Sequence, residues 1–205
     1  MENRIESVKN KVVDVELHVE DFATIVQEEF DDLGVEVTVN EVEDFPENMM
    51  SVNGYFNAYE YDLKENIELA LIVADEDGTI NINTDSWNFL QHQMRQTLEH
   101  EMIHREQVTE RDGLVVMPVY DDNMGKEEKR IVYLSDPDEI GAYANDIVLD
   151  LLRTYTNFGA GQILQTAELV TKNESPILYE YVELFGSDSD IVKEITSLAM
   201  KRISN

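Results

Sequence analysis

The stretch Leu98-Glu99-His100-Glu101-Met102-Ile103-His104 decides how the rest of the chain is read. Its two histidines stand four residues apart, a little over one helical turn, so on a helix both imidazoles leave the same face about 40° apart. The surrounding residues, 84–108, predict that helix: Trp87, Leu90, Met94, Leu98 and Met102 recur at steps of three and four and make one apolar stripe. Gln93, Thr97, His100 and His104 make a second stripe about a third of a turn away. The first face is expected to anchor the helix and the second to line a cleft. Thr84 and Asp85 are its candidate caps.

On the N-terminal side, residues 1–34 carry apolar positions at helical spacing (Ile5, Val8, Val12, then Phe22, Ile25, Val26, Phe30), as one helix or as two broken near Asp14 to Glu20. Gly34 is the expected stop. From Val35 the period changes to two, and β-rich segments follow around Tyr55 to Tyr61, Ile67 to Ala74 and Thr79 to Ile82. Residues 35–83 therefore predict a small, mostly antiparallel sheet. Asp77-Gly78 predicts a hairpin turn within Ile67 to Ile82.

On the C-terminal side, Gly113 to Tyr120 and Arg130 to Leu134 read as short strands around a polar turn, Asp121 to Lys129. Residues 135–205 then read as helical. Asp136-Pro137 opens a helix with Ile140, Ala144, Ile147, Val148 and Leu151 on its apolar face, running to about Tyr155. Gly161 to Lys172, Pro176 to Phe185 (Ser175 as cap, Gly186 as stop) and Asp190 to Ile203 complete the series. The fold class expected is α+β, as a single domain over residues 1–205: helices, a sheet, the H-E-x-x-H helix, then a helical C-terminal half.

The pattern H-E-x-x-H fits a divalent metal. His100 and His104 can take two adjacent corners of a tetrahedral zinc site, and Glu101, on the neighbouring side, can reach a water bound to the ion rather than the ion itself. Glu101 is thus the expected general base. Zn2+ lowers the pKa of bound water toward about 7 and polarises a carbonyl, a combination that hydrolyses amide bonds. The bland reading of the same residues is a pair of surface histidines on an acidic helix. His92 is rotated about 80° from His100, and His18 lies in an acidic stretch; neither is expected to be a ligand.

With this motif on an amphipathic helix after a sheet, the chain resembles the zincin superfamily of metallopeptidases. It departs from the metzincin pattern, with Gln107 and Glu110 where that branch has its glycine and third histidine. It resembles the gluzincin branch more closely, because Asp138-Glu139-Ile140-Gly141-Ala142-Tyr143-Ala144 looks like the E-x-x-A-[YF]-A pattern of small prokaryotic and phage-encoded metallopeptidase sequences of minigluzincin size. It lacks the N-E-x-x-S-D form of thermolysin-like enzymes. The resemblance spans about Asn83 to Leu152. It implies a zincin-like core, Glu139 as third metal ligand, and a sheet edge, by analogy Ile67 to Asn83, that pairs with an extended peptide. Two readings of Glu139 stay open, since Asp136 as N-cap and Glu139 as its N3 partner also make a capping box. Tyr143, one turn on, is a candidate oxyanion donor or ordinary packing. Asp146 completes that face, where it orients a ligand histidine or is simply solvated.

Composition bounds the alternatives. Cysteine is absent, which excludes disulfides and thiolate ligands. Nowhere do roughly 18 apolar residues run together, and the first residues do not form a secretion signal, so a cytoplasmic protein is expected. A phage origin fits the resemblance and would put the chain in a host cytoplasm or a virion. The net charge of −29, from 44 acidic and 15 basic residues, repels phosphates and excludes ordinary nucleic-acid binding. It suits basic or unstructured peptide substrates. It also suits a non-enzymatic alternative, an acidic mimic or inhibitor that engages a basic partner on a zincin-like scaffold.

Overall fold

A computed structural model describes residues 1–46, 49–58, 66–116, 118–121 and 123–204. The chain is α+β and divides into two compact units, Met1–Val115 and Val116–Asn205.

In the first unit, α1 (Glu2–Val12) is followed by a short strand, β1 (Glu16–His18), and by α2 (Val19–Phe30). Asp14, at φ 61°, breaks the helical run. A 3-10 turn, Asp31–Leu33, ends on Gly34 at φ 71°, a left-handed position that glycine adopts without cost. Next come β2 (Val35–Glu41), β3 (Ser51–Phe56), β4 (Ile67–Val73), β5 (Thr79–Asn81) and α3 (Thr84–Glu110). The main sheet has the order β2-β4-β3, with β2 parallel and β3 antiparallel to β4. β4 is central because its apolar residues serve both faces: Ile67, Leu69, Leu71 and Val73 are buried and the residues between them half-buried. Buried side chains of α1, α2 and α3, including Val8, Phe22, Phe30, Trp87 and Leu98, share one core with Leu69 and Leu71.

The hairpin expected between Ile67 and Ile82 does not form. Both edges of β4 are taken by β2 and β3, so β5 turns away and pairs antiparallel with β1, Leu17 opposite Ile80. Asp77-Gly78 still turns the chain, with Gly78 N–H donating to Asp75 O. The expected sheet edge, Ile67 to Asn83, is therefore the central strand followed by a strand of the other sheet. The true edges of the main sheet are β2 and β3. On β2 the Gln27 side chain donates to Val35 O (2.8 Å) and accepts from Val37 N–H (2.7 Å), so a side-chain amide occupies that edge. The strand expected over Tyr55 to Tyr61 is observed up to Phe56; residues 59–65 lie outside the described residues.

The second unit contains α4 (Lys126–Leu134), α5 (Pro137–Leu152), α6 (Asn157–Gln165), α7 (Pro176–Phe185) and α8 (Asp190–Ser204). Arg130 to Leu134, expected as a strand, is the end of α4. Glu128 accepts from the Gly125 N–H (2.7 Å) and fixes the first turn, so the helix-favouring run from Lys126 carries Ile131, Val132 and Tyr133 into the helix despite their β preference. The described residues of Gly113 to Tyr120 form no strand. The helix expected over Gly161 to Lys172 instead begins at Asn157, behind a Thr156 cap, and gives way to a 3-10 turn at Ala167–Leu169. Ser175 caps α7 and Gly186 stops it, as the sequence predicts. The core of this unit joins Ile140, Ala144, Ile147 and Leu151 of α5 to Leu178, Tyr181 and Ile195. Among the described residues no helix is long and apolar enough to cross a membrane.

Candidate metal centre

Helix α3 begins with Asn83 rather than Thr84 or Asp85 as cap. The Asn83 side chain accepts from the backbone N–H groups of Asp85 (3.0 Å) and Ser86 (2.9 Å). Trp87, Leu90, Met94 and Leu98 are buried, which fixes the rotation of the helix, while Met102 is only half-buried. The helix runs on to Glu110 and ends where Asp112 and Gly113 turn left-handed, with Gly113 N–H donating to Val108 O (2.9 Å). Glu110 is exposed, consistent with a helix that does not turn at Gln107.

The rotation set by the core brings the two histidines together. Their Nε2 atoms are 3.1 Å apart and their rings meet edge to face, 4.8 Å between centroids. Two nitrogens on one tetrahedral zinc, each at about 2.0–2.1 Å, stand about 3.3 Å apart, so the pair is already close to the spacing a shared ion requires. Nδ1 of His104 faces Oε1 of Gln107 at 3.0 Å, which favours the tautomer that leaves the Nε2 lone pair for a cation. His100 and Glu101 are buried.

Strand β3 lies against this helix, and Gln93 Nε2 reaches Ser51 Oγ at 3.5 Å. Gly54 is the point of closest approach. A Cβ added there would collide with Thr97 Cγ2 and stand 2.9 Å from Cγ and 3.0 Å from Oε1 of Glu101. Asn57 N–H donates to Asn66 O (2.8 Å), which makes Asn57/Asn66 a hydrogen-bonded pair in the antiparallel register. By alternation, the N–H and C=O of Val52, Gly54 and Phe56 are directed away from β4, toward the outer edge of the sheet.

In the second unit Glu139 lies in the first turn of α5. Asp136 caps that helix, its carboxylate accepting from Asp138 N–H (2.9 Å). The Asp136 N–H, which a capping box would give to Glu139, donates to Tyr133 O (3.1 Å). The half of the capping box that would involve Glu139 is thus taken by the backbone. Tyr143 packs edge to face on Tyr133 (6.3 Å) and Tyr181 (6.1 Å), and the Arg130 guanidinium lies 5.7 Å from the Tyr133 ring centre. Burial pushes all three tyrosine hydroxyls above their ordinary range, with the charge of Glu139 adding to the effect, so they keep their protons at neutral pH. Asp146 is buried.

Among the described residues, His100, His104 and Glu139 form a group that could hold a metal ion. His92 and His18 are not in it.

Comparison with protein-family models, with curated proteins and with solved structures gives no match. The functional reading rests on the chain's own residues.

Gly54 and Gln107 were not foreseen as site residues. An isolated glycine inside a strand is a signal for close backbone approach. A glutamine one turn beyond a candidate ligand histidine is a weaker signal of the same kind.

Proposed function

We propose that the chain is a zinc-dependent metallopeptidase with a zincin-like core of the gluzincin type. The observation that carries this reading is the pair of Nε2 atoms 3.1 Å apart on one helix face, with a buried glutamate between the two histidines in sequence. His100, His104 and Glu139 would hold the ion, a donor set of two imidazoles and one carboxylate that suits zinc and leaves a position for water. Bound zinc lowers the pKa of its water toward about 7 and polarises the scissile carbonyl.

The chain's own residues do the remaining work. Glu101 takes a proton from the attacking water and delivers it to the leaving amine, so that one carboxylate serves as base and then as acid. Its burial beside Gly54 keeps the carboxylate from swinging into solvent. Tyr143, protonated at neutral pH, is the candidate donor to the oxyanion that forms when water adds to the carbonyl. The outward N–H and C=O groups of Val52, Gly54 and Phe56 offer a substrate backbone an edge to pair with, beside Glu101. An extended peptide therefore fits, and the charge of −29 favours a basic one.

The test uses Glu101→Gln. The variant is expected to keep one zinc per chain and to lose hydrolysis of an unstructured protein substrate such as casein. Undiminished hydrolysis in that variant removes the mechanism. A wild-type chain without stoichiometric zinc removes the whole reading and leaves the acidic interaction protein in its place, since a charge mimic needs no metal.

A further inference from the structure

We infer that Gln107 is a positioning residue for the metal centre: it holds His104 in the one tautomer and ring orientation that can bind a cation through Nε2. This rests on the metallopeptidase reading and deepens it.

The argument starts from the two nitrogens of one ring. His104 Nε2 faces His100 Nε2 at 3.1 Å, and His104 Nδ1 faces Gln107 Oε1 at 3.0 Å. An amide oxygen only accepts, so the contact is a hydrogen bond only when Nδ1 carries the proton. A neutral imidazole has one proton to place, and with it on Nδ1 the lone pair lies on Nε2, aimed where His100 also points. Rotating the Gln107 amide by half a turn would put its NH2 group on Nδ1 and move the proton to Nε2, which blocks the ligand position. The observed orientation is the metal-competent one of the two.

Helix geometry makes the arrangement self-contained. Gln107 is three residues after His104 on the same face of α3, and the helix continues without a break through Glu110. The orienting group therefore needs no second element to bring it in. A neutral acceptor also donates less electron density to the imidazole than a carboxylate would, so the ion keeps more of its Lewis acidity. This gives a physical role to the residue at the position where the metzincin pattern has its glycine.

The experiment measures zinc affinity of the full chain by competition with a chromophoric chelator, for the wild type, Gln107→Leu and Gln107→Glu. Long-range proton–nitrogen NMR of the histidine rings reports the tautomer. Gln107→Leu is expected to bind zinc about 10–100-fold more weakly, the usual cost of losing a ligand's hydrogen-bond partner. Its unfolding midpoint should be unchanged, and its His104 Nδ1 proton should be lost from the spectrum. Gln107→Glu, which retains an acceptor, should bind at least as tightly as the wild type. Equal zinc affinity in wild type and Gln107→Leu overturns this inference alone. Absence of zinc binding in the wild type overturns it together with the proposed function. Weakened binding in both variants shows that an acceptor at this position is not what sustains the affinity, and also overturns it.

Discussion

A methyl group on Gly54 would stand 2.9 Å from Cγ of Glu101, so a strand backbone rather than a side chain forms the wall behind the proposed general base. That distance is shorter than carbon atoms tolerate. Thr97 sits closer still and is fixed on the same helix face, so the strain cannot be relieved by moving Thr97 alone. Gly54→Ala is expected to cost about 1–3 kcal/mol of stability, as overpacking does. It should also lower kcat/KM by about 10–100-fold, as a misplacement near 1 Å does. Zinc stoichiometry should stay at that of the wild type, because the imidazoles are not touched. Denaturant unfolding, peptide hydrolysis and metal analysis read the three effects, and wild-type hydrolysis in a folded Gly54→Ala chain would show that the strand does not position Glu101.

The two readings of Glu139 make opposite predictions. Asp136 caps α5 through the Asp138 N–H, and Asp136→Ala should cost about 1 kcal/mol, the usual value for a lost N-cap. Glu139→Gln should leave the cap of α5 intact, since the Asp136 N–H is already given to Tyr133 O, and any cost in the metal-free chain should come from the Tyr133 hydroxyl that Glu139 hydrogen-bonds. Its zinc affinity should fall by more than the roughly 10–100-fold typical of an outer partner. A Glu139→Gln chain with wild-type zinc affinity and lowered helix stability would restore the cap reading and remove the third ligand.

What was legible in the sequence follows from how local the deciding interactions are. The helix carrying His100 and His104 declares itself through a strict apolar stripe, and α7 through the Ser175 cap and Gly186 stop. Each depends on residues within a few positions of one another. The hairpin at Asp77-Gly78 misled because the turn chemistry is local but strand pairing is not: β4 was already bordered by β2 and β3, and only the tertiary fold reveals that. Ile131-Val132-Tyr133 misled for a related reason, since a β-prone triplet at the end of a helix-favouring run follows the helix that Glu128 starts. The site was legible to the same degree. His100 and His104 lie on one element and could be placed from their spacing, whereas Gly54 acts across a strand–helix contact with no periodicity to announce it.

Ser175 offers a test in the second unit that is independent of any metal. Its hydroxyl donates to the buried Asp150 carboxylate (3.0 Å) and accepts from Leu178 N–H (3.3 Å), and the residue has no exposed surface. Ser175→Ala removes a helix cap and one donor to a buried carboxylate together, each loss costing about 1–2 kcal/mol. Destabilisation of about 2–3 kcal/mol is expected by urea unfolding. Replacement by threonine, which keeps the hydroxyl but must fit a methyl into a closed site, should recover only part of it. A change below about 0.5 kcal/mol for Ser175→Ala would mean that water replaces the hydroxyl at no cost.

Acid stability separates specific ion pairs from the general charge. Glu29 accepts from Ser7 Oγ (2.6 Å) and Lys11 Nζ (2.9 Å), and Asp32 from Arg4 (2.6 and 2.7 Å), contacts that tie α1 to α2 and the turn after it. The Ser7 and Lys11 hydrogen bonds hold Glu29, and the Arg4 hydrogen bond holds Asp32, below the ordinary carboxylate range. A carboxylate whose pKa is lower in the folded than in the unfolded chain contributes stability above its unfolded pKa and loses it as pH falls through the folded one. The remaining acidic groups act the other way: at a net charge of −29 they repel one another, and protonating them relieves the compact state. The unfolding midpoint should therefore hold or rise from pH 8 to about 5 and fall below about pH 4. Arg4→Met isolates the specific part. Its deficit against the wild type should be constant above about pH 5 and shrink as pH falls through the lowered folded pKa values of Asp32 and Glu29, leaving the part that comes from the Arg4 hydrogen bond to Glu29 O, which does not titrate. Thermal unfolding of the two chains across that range decides the matter, and a deficit that does not shrink toward about pH 2 would trace to the Glu29 O hydrogen bond and the packing of the arginine stem rather than to the ion pairs.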